Sequence, residues 1–106
     1  MGQYYKVVNL DKRQVLHPHA FGDGMKLMEF VGGGNTIKAL GILLAVGNGR
    51  GGGDIHSDNP LVGSWAGDRI AIVGDYADDG EASTVRNDGE DISAKMVELL
   101  RDADEF

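Results

Sequence analysis

The chain has 106 residues, no cysteine, seventeen glycines and a net charge of −7. That length makes one domain with a modest core, and the absence of thiols excludes disulfides and thiolate catalysis. Residues 1–50 carry six Lys/Arg against three Asp/Glu and residues 51–106 carry four against fourteen, which argues against duplex nucleic acid, whose binding rests on Lys and Arg displacing counterions.

The start, MGQYYKVVNL, lacks the basic-then-apolar order of a secretory signal. Lys6 stands where a myristoylation motif wants Ser or Thr. The longest apolar run, residues 39–46, is too short to cross a bilayer. These features predict a cytoplasmic protein with no membrane partner. Tyr4 to Leu10 is β-branched and aromatic, and predicts a strand. Asp11-Lys12-Arg13 makes a polar turn, and residues 14–17 return antiparallel until Pro18 ends them. After a turn at residues 21–24, Met25 to Val31 reads as a helix stopped by three glycines. A second helix is expected over 37–46, capped by Asn35 or Thr36, because Ile37, Leu40, Leu43 and Leu44 recur at spacings of three and four.

Residues 47–67 read as a long glycine-rich loop, a length usually reserved for functional or mobile segments. Arg69 to Val73 is the next strand, followed by an acidic turn at residues 78–81 and a short edge strand over 82–86. A last helix, capped by Asp91 or Ser93, runs to about Asp102. The expected architecture is a single α+β domain: a small, mostly antiparallel sheet covered by two or three helices on one face.

Gly47-x-Gly49-x-x-Gly52 has the spacing of a dinucleotide fingerprint. The fingerprint needs a strand before it and a helix after it, so that pyrophosphate meets a helix N-terminus. Here a helix precedes it and a turn-rich segment follows, and no Gly-Lys-Ser/Thr makes a P-loop. What survives is a backbone nest over Gly49 to Gly53, with Gly51 and Gly52 at its centre and the Arg50 guanidinium adding a bidentate phosphate contact. The competing reading is a solvated loop.

Trp65-Ala66-Gly67-Asp68-Arg69 is the densest stretch. Trp65 or Tyr76 offers a stacking surface for a base, with Arg69 on phosphate and Asp68 beside it. Alternatively Trp65 caps the core and Asp68 binds a backbone N–H or a partner Arg. His17-Pro18-His19 has a metal-ligand spacing that His56 would complete. No motif for nucleophilic catalysis and no cofactor signature is present.

Three blocks, residues 1–14 (MGxYxxVxNLDKRQ), 26–30 (KLxEF) and 65–76 (WAGDRIxxxGDY), resemble a loose group of small uncharacterised proteins found in microbes and as N-terminal modules of some fungal chains. The blocks cover under half of the chain and leave out residues 47–53. The resemblance implies no activity, ligand or catalytic residue.

The leading expectation is a non-enzymatic, homo-oligomeric binding protein for a small anionic ligand such as a nucleotide, in a sequestering or sensing role. The alternatives are an acidic interaction or inhibitor module that docks a basic protein partner through Asp75 to Glu81 and Asp88 to Asp91, and a small metal-dependent hydrolase using His17, His19 and His56.

Overall fold

The computed structural model describes residues 2–47 and 51–106. β1 (Tyr5–Asn9) and β2 (Gln14–Leu16) form the expected antiparallel hairpin, with Val7 opposite Leu16 and Asn9 opposite Gln14. β3 (Ile70–Gly74) pairs antiparallel with the other edge of β1, and β4 (Glu90–Asp91) runs parallel to β2. The sheet order is β3-β1-β2-β4. The helices are α1 (Leu27–Phe30), α2 (Asn35–Leu44), α3 (Glu81–Asp88) and α4 (Ser93–Asp102), with a 3-10 turn at Pro18–Phe21. The α+β class stands, with a mixed four-stranded sheet.

Alternation along the strands divides the core between two faces. Val7 and Leu16 pack with Phe30, Leu43, Trp65 and Met96, all fully buried. Val8, Val15 and Val73 point the other way and pack with Val85 of α3. Helical cover therefore lies on both faces, not one. The expected edge strand at 82–86 is the middle of α3. Thr84 and Val85 carry β-branched propensity, but Ala82 and Val85, three apart, both meet the sheet, a spacing that suits a helix. Glu81 in the first turn and Arg86 in the last also complement the helix dipole.

The start of α2 differs from expectation as well. Asn35 and Thr36 are its first two residues, and neither is the cap. Asp23, distant in sequence, supplies the carboxylate: its Oδ2 accepts from the Thr36 backbone N–H at 2.9 Å and from the Thr36 hydroxyl at 2.7 Å. Gly34 leaves room for it, since a Cβ there would lie 2.8 Å from Asp23 Oδ1.

The stretch 47–67 is not one open loop. Its last part folds back in tight turns onto the C-terminal end of α2. Gly63 N donates to Ile42 O and Trp65 N to Leu43 O, each at 2.9 Å. Those carbonyls are among the ones a helix end leaves without partners.

Candidate functional site

Two of the sequence blocks meet at the turn joining β1 to β2. Asn9 and Gln14 are register partners, so their side chains share a face at the rim of the larger core. Trp65 sits there, fully buried, and its indole Nε1 donates to Gln14 Oε1 at 2.7 Å. Gln14 Nε2 donates in turn to Glu90 Oε1 at 3.3 Å.

Asn9 is also fully buried, and both ends of its amide are used. Nδ2 donates to Asp68 Oδ2 at 2.9 Å, and Oδ1 accepts from the Lys12 backbone N–H at 2.8 Å. The Lys12 ammonium binds the same Asp68 oxygen. Asp11 takes the Arg69 backbone N–H at 2.9 Å and Nε at 2.8 Å. A second side of that guanidinium meets Glu81 at 2.9 and 3.3 Å, which ties the turn to α3.

The charges follow this geometry. Lys12 first, then Asn9, holds the Asp68 carboxyl below its ordinary value. The backbone N–H of Arg69 does so for Asp11, followed by the guanidinium. Glu81, then Asp11, raises Arg69. Gln14, then Lys95, lowers Glu90.

This cluster joins chain segments and offers no open seat for a base. Trp65 has no exposed ring face, so it is not a stacking surface; its position is that of a core aromatic. Arg69 already serves two carboxylates. Tyr76 is 58% exposed but lies beyond the opposite end of β3 from Arg69, so the two do not form one site. Gly51 and Gly52 are exposed, and Gly49 and Arg50 lie outside the described residues.

The histidines do not complete a metal site. The His17 and His19 rings are 5.5 Å apart, but no group of three His, Asp or Glu side chains able to hold an ion forms among the described residues. Burial, then the nearby Lys6 charge, keeps His17 below the usual imidazole range.

Stability will therefore fall on acidification in two stages. His17, Asp11, Asp68 and Glu90 all bind protons more weakly when folded. Each contributes fully above its unfolded pKa and loses that contribution as pH falls through its folded value. The histidine stage begins near pH ~6.5 and the carboxylate stage near ~4. Melting curves between neutral and acidic pH should show both, and His17→Gln should lack the upper one. A melting temperature that rises on acidification through the histidine range would contradict the assignment.

The two acidic runs that the sequence offers to a basic partner come together around α3. Asp75, Asp78, Asp79 and Glu81 precede or open the helix, and Asp88, Glu90 and Asp91 end or follow it, all exposed. Only Glu81 and Glu90 have ion-pair partners among the described residues, Arg69 and Lys95. Arg86 does not offset this charge outward. Its Nε and Nη2 turn in to the carbonyls of Val73 and Tyr4, at 3.0 and 2.7 Å. The acid runs were visible in the sequence; that one helix gathers them was not, because residues 82–86 read as a strand.

A depression of about 660 Å³ beside α4 is acidic too, lined by Asp91, Glu98 and Asp102 with Arg101. Arg101 stacks over the Phe106 ring at 5.3 Å. Among the described residues no helix is long and apolar enough to cross a membrane. No family model, curated protein or solved structure matches the chain.

Proposed function

We propose that the chain is a non-enzymatic binding module that docks a basic protein partner through the acidic surface around α3. The observation that carries this reading is that seven exposed carboxylates bracket α3 while the helix's own Arg86 is turned onto backbone carbonyls. Such a surface steers a cationic partner and fixes its orientation. Tyr76, exposed among these acids, has the aromatic character of interface anchors.

The test is affinity capture on the immobilised chain, with the captured protein identified and its dissociation constant followed against salt. The expected result is a stoichiometric basic protein whose affinity falls steeply with ionic strength. That affinity drops at least about tenfold in an Asp78→Asn/Asp79→Asn/Asp88→Asn variant, and again in Tyr76→Ala. A partner indifferent to salt and to these substitutions would refute the reading.

A second reading, a small anionic ligand such as a nucleotide at the glycine loop, has one observation in its favour. Gly51 and Gly53 hold positive φ, 90° and 80°, with Gly52 between them outside that region. Such alternation is how consecutive N–H groups come to face one anion. Native mass spectrometry separates the two readings. A retained nucleotide that is lost in Arg50→Ala supports the second, and a chain that carries none supports the first.

A further inference from the structure

The sheet has two edges, and they are built differently. β4 is two residues long, both acidic, with Glu90 further held by Lys95. Brevity and charge are ordinary protections against edge-to-edge pairing. β3 has neither. Its five residues, Ile-Ala-Ile-Val-Gly, carry no charge and no proline.

The register with β1 settles which backbone groups face out. Leu10 N bonds to Arg69 O and Asp75 N to Tyr4 O, so residues 69, 71, 73 and 75 turn their peptide groups toward β1. Those of Ile70, Ile72 and Gly74 point away from the sheet, the Gly74 carbonyl already accepting from the Ala77 N–H at 3.1 Å. The N–H groups of Ile70 and Ile72 have no hydrogen-bond partner among the described residues. Ile72, at the strand's centre, is 38% exposed, a large apolar side chain at an open edge.

We propose that β3 is the seam of a homodimer, in which it pairs antiparallel with the β3 of a second copy about a two-fold axis at Ile72. A contact of this kind must be self-complementary, and the sequence around Ile72 meets that condition. With Ile72 on the axis, Ile70 lies opposite Gly74 of the second copy, where the Gln3 side chain and the Tyr5 ring stand over the glycine and become part of the contact. Ala71 lies opposite Val73, and one step beyond the strand Arg69 lies opposite Asp75. The axis then repeats this pair of opposite charges at the other end.

Both partners have capacity left. Arg69 is 60% exposed and uses three of its five N–H groups on Asp11 and Glu81. Asp75 uses only Oδ1, on the Tyr4 N–H. Slipping the register by two residues sets Arg69 against Val73 or Ala77 and removes the charge match at both ends. The outward peptide groups of Ile70, Ile72 and Gly74 fall on hydrogen-bonded pairs in the matched register. The result is a continuous eight-stranded sheet with both α3 helices on the same face.

The test is sedimentation velocity on the full chain at tens of micromolar and about 0.15 M salt, beside a thiol cross-linking experiment. The wild type should sediment as a dimer. Ile72→Lys, which charges the edge, should sediment as a monomer with an unchanged circular dichroism spectrum. Ile72→Cys places two thiols across the axis with Cα atoms about 5.5 Å apart, inside disulfide range. The chain has no other cysteine, so mild oxidation should convert it to a covalent dimer, while Met28→Cys, at a position 79% exposed, should stay largely uncross-linked. A monomeric wild type, a dimer that survives Ile72→Lys, or equal cross-linking of the two thiol variants would overturn the proposal.

Discussion

Replacing Trp65 with alanine should lower the unfolding free energy by about 3–5 kcal/mol, the range for removing a large aromatic from a packed core. Trp65 is fully buried among Val7, Leu16, Phe30, Leu43 and Met96. It also joins three segments. Its backbone N–H binds Leu43 O at the end of α2, and its indole N–H binds Gln14 of β2. A single domain holds only about 5–15 kcal/mol in all, so this variant should be close to unfolding at physiological temperature. Trp65→Phe separates the two contributions. It keeps much of the apolar volume but removes the donor to Gln14, for a loss of about 1–3 kcal/mol. Urea titrations followed by far-ultraviolet circular dichroism suit both variants, since the substitutions remove the chain's one tryptophan fluorophore. Near-native stability for Trp65→Ala would mean that the indole is not part of the core.

Gly63→Ala should rank next, at about 2–4 kcal/mol, because two penalties add. Gly63 has φ +74°, a left-handed conformation that costs other residues about 1–2 kcal/mol. Its hypothetical Cβ would also lie 2.5 Å from the Ala45 carbonyl oxygen, and a backbone atom cannot swing aside as a side chain can. Gly67 is the control: its φ is +83°, but a Cβ there meets nothing within 4 Å. Gly67→Ala should therefore show the conformational cost alone. Equal effects at the two positions would show that close approach to Ala45 contributes nothing.

The strands and the last helix were legible because their signals are local. Tyr5–Asn9, Ile70–Gly74 and Ser93–Asp102 lie within a residue or two of where propensity and spacing put them. Other features depended on partners far along the chain. Asp23 caps α2 from outside its own sequence neighbourhood, whereas local sequence points only to Asn35 and Thr36. Val85 earns its helical setting from Val8, Val15 and Val73 across the sheet. The 59–67 segment looks like a loop by composition, yet it is held by carbonyls of Ile42 and Leu43.

The candidate site divides in the same way. Acidic residues could be counted without a structure, and they now carry the proposed function. Trp65, Asp68 and Arg69 stood out by type, but type does not reveal whether a group is already engaged. Their partners, Gln14, Asn9, Lys12 and Asp11, lie more than fifty residues earlier. One signal was present: the turn after β1 alternates acceptors and donors densely, as does the segment that it meets.

The order β3-β1-β2-β4 has a consequence for how the chain folds as it is made. The β1–β2 hairpin is synthesised before either of its sheet neighbours, with both outer edges bare. Its neighbours are β3, about sixty residues later, and β4, which meets β2 across a separation of 76 residues. Closing such loops adds little entropy cost per residue, but long separations slow folding. Phe30 and Leu43 reach Val7 and Leu16 soon after the hairpin is made, but Val8 and Val15 wait uncovered until Val73 and Val85 have followed. That interval, more than the finished fold, is when this acidic, glycine-rich protein is most exposed to mispairing.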